Sequence, residues 1–229
     1  RYSDTICFSQ YEGQIQKLID THIESGEVQV ITDLVNIFDK EKFSEEVEKI
    51  VGKVAKADTI ASRTAKYITE SMNTDPAFFK KFSKMLEETI EEYKQGRISE
   101  AEYLKRAEDI MQKVLNHTDS EIPESLQNNN AGRAYFGLVL EVYKRVCQNV
   151  EGFDLINIAL ITANKIDEII NGHIIVDCFS NDRLIGTMKL ELEDFLIDVI
   201  KKEYGVPLSF EDIDYIIDNS VDVASKWFR

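Results

Sequence analysis

The sequence contains few of the residues that interrupt helices or cross-link a chain. Among its 229 residues are three prolines, ten glycines and three cysteines. So few breakers favour long helices over the many tight turns of a β-sandwich or barrel. Cys7, Cys147 and Cys178 are odd in number and far apart. This spacing argues against a disulfide framework and favours a reducing, cytoplasmic setting.

Several signatures of catalysis and targeting are also missing from the sequence. It has no apolar run long enough to span a bilayer, no signal-peptide pattern, no phosphate-binding G-x-x-x-x-G-K-[ST] loop and no H-E-x-x-H motif. Glu92-Tyr93-Lys94 matches half of a restriction-type nuclease centre, but no Pro-Asp pair accompanies it. We therefore expect no catalytic, cofactor-binding or metal-binding residue in this chain.

What the sequence has in excess is negative charge. The formal net charge is −15, and residues 151–229 hold 16 acidic and 7 basic residues, a net −9. Because DNA-binding surfaces need positive potential, the last third suits a basic protein surface better than DNA.

The positive charge that is present forms one candidate contact stripe. Lys42, Lys49, Lys56 and Arg63 recur every seven residues, and Lys53 lies beside them. If the helices there are nearly continuous, this basic stripe is a candidate for contacting DNA or a partner. Glutamates are interleaved with it, so a mixed solvated face is the alternative interpretation.

The clearest structural prediction is a helix hairpin over residues 75–115. Asp75 and Pro76 suit a helix start, Gly96 suits the end of that helix, and Ser99 with Glu102 forms a capping-box pattern that opens the next. Apolar residues recur at spacings of three and four on both segments. A short link between two such helices predicts an antiparallel pair with facing apolar stripes.

Helical patterns also extend over the rest of the chain. The predicted helices cover residues 9–26, 39–51, 58–72, 131–149, 153–170, 180–203 and 209–227. Trp227 and Phe228 are predicted to close the core, and an exposed hot spot is the alternative. Short strands are conceivable at 27–31 and 174–176, and Cys178 is expected to be partly exposed. The prediction is an all-α multi-helix bundle of antiparallel hairpins with at most one or two very short strands.

Residues 118–130 contain Pro123, lose apolar periodicity and end in three asparagines, which is typical of a linker. They divide the chain into an N-terminal helical half, 1–117, and a C-terminal half, 131–229, although one compact domain is the alternative. On the last helix Glu211, Asp214, Asp218 and Asp222 share one side, which we call the acidic face. It is either a docking face or an ordinary solvated one.

Three stretches carry a family resemblance. They read "DPAFFKKFSKMLEETIEEYKQGRISEAEYL" at 75–104, "LVNIFDKEKFSEEVEKI" at 34–50, and the segment 166–224, in which Cys178 stands where a tryptophan is expected. Together they resemble the C-terminal helical region of the R (motor and restriction) subunit of type I restriction enzymes. The resemblance covers most of the chain from about residue 34.

The resemblance implies a non-catalytic assembly or docking domain within an ATP-dependent, site-specific deoxyribonuclease. Its partners would be the methyltransferase and specificity subunits and the subunit's own upstream motor domains, with DNA only an indirect partner. ATP and Mg²⁺ would belong to motor and nuclease segments absent from this sequence, and the opening Arg1 also suggests a piece of a longer protein. The alternatives are a stand-alone acidic helical adaptor or regulator, and an enzyme with an unrecognised helical active site.

Overall fold

The computed structural model describes residues 40–148 and 152–228. The predicted helix at 9–26 and strand at 27–31 lie outside these residues. Within them the chain is helical, with no strand. The helices are α1 (Lys40–Lys49), α2 (Lys53–Ser71), α3 (Pro76–Lys94), α4 (Glu100–Leu115), α5 (Asn130–Val146), α6 (Leu155–Gly172), α7 (Asp182–Phe195), which continues as a π-helix (Leu196–Glu203), and α8 (Phe210–Trp227). The all-α prediction is confirmed.

The described residues form two compact units. The first holds the described residues up to Glu70 together with Lys81–Thr118, and the second holds Ser71–Lys80 together with the described residues from Asp119 onward. The predicted linker, residues 118–130, contains a 3-10 helix (Glu124–Leu126). Leu126 is buried in the core of the second unit, so the end of this segment is part of that core.

In the first unit, α3 and α4 form the predicted hairpin. Gly96 takes a φ of 68°, which closes α3, and the Ser99 hydroxyl accepts a hydrogen bond from the Glu102 N–H, which opens α4. The rings of Tyr93 and Tyr103 stack with centroids 4.6 Å apart. Tyr103 is 1% exposed, and its hydroxyl donates to Asp58 Oδ1 at 2.9 Å, so this residue ties the hairpin to α2.

The second unit is built around α5. Ten of its residues are buried, and the helix packs mainly against α6 and α8. Gly137 lets the start of α3 approach, because a Cβ placed there would lie 3.1 Å from the Ala77 methyl group. Trp227 and Phe228 pack against this core, as predicted, and the Trp227 indole N–H donates to the Thr74 carbonyl at 3.0 Å.

The π-helix follows from the spacing of the buried residues. Met188, Leu192, Leu196 and Ile200 are all buried and recur every four residues. In an α-helix of 3.6 residues per turn such a row drifts steadily around the axis. The wider π-turn, closed by i→i+5 hydrogen bonds, reverses that drift and keeps Ile200 facing the core.

Two expectations about the connection after α6 are wrong. Residues 174–176 form a turn and irregular backbone, not a strand, and Cys178 is 2% exposed, not partly exposed. Ile174 and Phe179 pack against the core on either side of Cys178, which draws the thiol inward. Cys147 is buried as expected, and burial raises the pKa of its thiol.

Two buried tyrosines on α5 give a matched test of packing. Tyr143 and Tyr135 are both 0% exposed, but the Tyr143 hydroxyl bonds Thr162 Oγ1 at 2.9 Å while the Tyr135 hydroxyl has no partner among the described residues. Tyr143→Phe is expected to lower the free energy of unfolding by about 1 kcal/mol. Tyr135→Phe removes an unpaired buried hydroxyl and should leave stability unchanged or raised. Urea denaturation checks this, and equal losses would contradict the structure.

The start of α8 gives a second test, because its capping box is complete. Ser209 N–H donates to Asp212 Oδ2 at 2.9 Å, and Arg145 Nη2 lies 2.6 Å from Asp212 Oδ1. Burial alone would raise the pKa of the Asp212 carboxyl group. The hydrogen bonds from Ser209 and the charge of Arg145 outweigh that effect and lower the pKa below its ordinary value of 3.8.

Asp212→Ala is therefore expected to cost about 1 kcal/mol at pH 7, whereas Asp214→Ala, at an exposed position two residues later, should stay within about 0.5 kcal/mol of wild type. A carboxyl group with a lowered pKa stabilises the fold above its ordinary pKa and loses that effect as pH falls through the lowered value. The difference between the variants should therefore shrink below pH 3.8 in acid-unfolding curves. A difference that persists at low pH would contradict this account.

Candidate functional site

The acidic face lies on the outer side of α8. The opposite side of this helix is buried, with Ile213, Ile216 and Val223 in the core. Glu211, Asp214, Asp218 and Asp222 are all exposed. The amphipathic period of α8 therefore brings the four predicted carboxylates to one solvent-facing surface.

One member of the acidic face is neutralised within the chain. Lys189 Nζ of α7 lies 2.7 Å from Asp218 Oδ1. Glu211, Asp214 and Asp222 form no ion pair with the residues that the structure describes. These three carboxylates face solvent, and their proximity on one helix creates a local negative field.

The basic stripe does not lie on one continuous helix. Residues 50–52 separate α1 from α2, and Gly52 takes a φ of 101°, which breaks the helical register on which the seven-residue spacing depends. Lys49 is exposed and paired with Glu46 at 2.9 Å. Lys53 is exposed, and Lys56 and Arg63 are half-buried. Lys42 belongs to α1.

The partial nuclease motif serves the α3–α4 hairpin. Glu92 Oε2 lies 2.6 Å from Arg106 Nη1, Tyr93 stacks on Tyr103, and burial lowers the pKa of Lys94. An open concavity of about 310 Å³ adjoins Glu92. It is lined by Glu87, Glu88, Glu91, Glu92, Gln95 and Arg97. Across residues 40–148 and 152–228, no three His, Cys, Asp or Glu side chains are grouped as metal ligands.

The loop between α6 and α7 carries a feature that sequence reasoning missed. Ile175 and Val176 were expected in a strand, yet they are 60% and 90% exposed at a turn. Leu190 of α7 is 62% exposed as well. The signal in the sequence is the run Ile174-Ile175-Val176, three branched apolar residues with neither helical nor alternating spacing.

None of the helices in the described part of the chain has the length and apolar character of a membrane span. No curated protein shows significant similarity to the chain. No solved structure does so either.

A family model does match, and it covers residues 3–171. It describes the type I restriction enzyme HindI endonuclease subunit-like C-terminal region. The match includes two of the three stretches that carried the resemblance, 34–50 and 75–104, whereas most of the third lies beyond its end. Since about three quarters of the chain is matched, the chain belongs to the family of C-terminal regions of HindI-like type I restriction enzyme endonuclease subunits.

Proposed function

We propose that this chain is an assembly domain that holds the endonuclease subunit of a type I restriction enzyme onto the methyltransferase core. Family membership supports a place in a multi-subunit restriction enzyme. The observation that carries the docking role is the acidic face, where three of four exposed carboxylates lack an ion pair within the described residues. Unpaired charge on one face of a packed helix favours a basic partner surface.

The proposal assigns the chemistry of the enzyme to other segments. ATP and Mg²⁺ bind in the motor and nuclease parts of the endonuclease subunit, and this chain contributes no catalytic, cofactor-binding or metal-binding residue. Its direct partners are the methyltransferase and specificity subunits and the motor domains of its own subunit. DNA is only an indirect partner, and the complex works in the cytoplasm.

The interrupted basic stripe has a smaller part in this proposal. Lys49 is already paired, and the break at residues 50–52 divides the stripe between two helices. DNA binding needs several lysines or arginines that neutralise phosphates together, and glutamates are interleaved with these cations. These residues therefore serve better as local contacts to a neighbouring protein segment than as a DNA-binding surface.

Charge reversal on the acidic face tests the docking role. Asp214→Lys with Asp222→Lys is expected to weaken binding to the methyltransferase–specificity complex about tenfold or more, because two attractive contacts become repulsive. Glu211 is left in place because an acid in the first turn stabilises α8. Isothermal titration calorimetry at two salt concentrations measures the effect, and the affinity of the wild-type chain should fall as salt rises.

A matched control separates the acidic face from net charge. Glu108→Lys with Asp109→Lys changes two exposed acids on α4 and alters the net charge by the same amount. This variant should bind like the wild type. Equal weakening by both pairs would contradict docking through the acidic face, and absence of binding by the wild-type chain would contradict the assembly role itself.

A further inference from the structure

The turn between α6 and α7 exposes two apolar side chains on a fixed backbone. The Cys178 N–H donates to the Ile175 carbonyl at 3.1 Å, which closes a four-residue turn with Val176 and Asp177 at its corners. Val176 is 90% exposed at this corner, a position at which polar residues and glycine are usual. Asp177 takes the left-handed conformation, with φ 58° and ψ 24°. Most residues adopt this conformation only at a cost in free energy.

The turn is held on both sides. Ile174 precedes it and packs against the core, and Cys178 follows it and is buried. The ring of His173 adds a tie, since its Nε2 lies 3.0 Å from Glu191 Oε1 on α7. Ile175 and Val176 are therefore presented by an anchored turn, so little conformational entropy remains to be lost when they bind.

Helix α7 connects this turn with the acidic face. Met188 of α7 is fully buried, and each following residue is rotated by about 100° around the axis. Lys189 on one flank reaches Asp218 of α8, and Glu191 on the other flank reaches His173. Leu190 projects to solvent between these two flanks. One surface thus runs from the turn across Leu190 to the acidic face.

This surface has the composition of a protein interface. Its apolar centre consists of Ile175, Val176 and Leu190, all more than half exposed. Acids border the centre, because Asp177 and Asp182 are exposed and form no ion pair with the described residues. Residues 166–191 hold five acids and two cations, Arg183 and Lys189, and Lys189 is already paired with Asp218. An apolar centre within a charged rim is the usual arrangement of a binding surface.

We propose that this surface docks an apolar pocket bordered by lysines and arginines on the methyltransferase–specificity complex. The inference rests on the proposed function and adds the contact region and the chemistry of its partner. A second copy of this chain is a poor occupant, because a symmetric pair would bring the same acid-bordered surface of both copies together. Like charges brought together at an interface oppose association.

Removing the apolar centre without changing charge tests the proposal. Val176→Ser with Leu190→Ser is expected to weaken binding of the full chain to the methyltransferase–specificity complex at least tenfold in calorimetry. Its melting temperature should stay close to that of the wild type, because both side chains face solvent. The control is Val51→Ser with Ile156→Ser, which changes two apolar residues that are 93% and 48% exposed and belong to neither the turn nor α7.

The outcomes separate the two proposals. If the wild type binds and only Val176→Ser with Leu190→Ser is weakened, the inference is supported. If both double variants bind like the wild type, or both are weakened equally, this surface is not the contact and the assembly role survives. If the wild type does not bind, the assembly role fails, and this inference fails with it.

Sedimentation of the chain alone should show a monomer. A dimer that the Val176→Ser with Leu190→Ser variant abolishes would contradict the proposal and identify a second copy of the chain as the occupant.

Discussion

The second unit depends on the burial of a single helix. Ten of the residues of α5 are shielded from solvent, mainly by α6 and α8, so the stability of this helix comes from tertiary packing more than from its own propensity. Hydrogen bonding reinforces the packing, since Tyr143 reaches Thr162 of α6 and Arg145 reaches Asp212 of α8. The elements that cover α5 are thereby fixed in place, and so are the surfaces that they turn outward.

That constraint explains how a chain proposed to have no catalytic group can contribute to an enzyme. The same helices that bury one side against α5 present carboxylates and apolar side chains on the other. Because the acidic face and the turn at Val176 lie on elements anchored in one core, a partner meets a surface that is already ordered. Binding energy is then not consumed in ordering the chain.

Local chemistry explains which features the sequence predicts well. Ser99 caps α4 by accepting a hydrogen bond from the Glu102 N–H, and Gly96 closes α3, because these interactions involve neighbours within a few residues. The family resemblance, likewise read from the sequence, is confirmed over residues 3–171.

Features that depend on distant residues were predicted less well. The placement of residues 174–178 depends on the core that Ile174 and Phe179 reach, and that core is assembled from α5, α6, α7, the π-helix and α8. Tyr103 was missed because its partners, Asp58 and Tyr93, are distant or lie on another helix. The π-helix was also missed, although the four-residue spacing of its buried positions is visible in the sequence.

The acidic face was predicted from helical period alone. Whether it binds a partner depends on a surface that this chain does not contain.

The central claim is that an α5-centred core presents a ready-made contact surface to the rest of a restriction enzyme. Amide hydrogen exchange, followed by mass spectrometry on the full chain alone and bound to the methyltransferase–specificity complex, tests it most directly. The account predicts slow exchange over residues 130–146 in both states and slower exchange over residues 173–178 only in the complex. Protection that appears over residues 130–146 on binding, with none over residues 173–178, would contradict it.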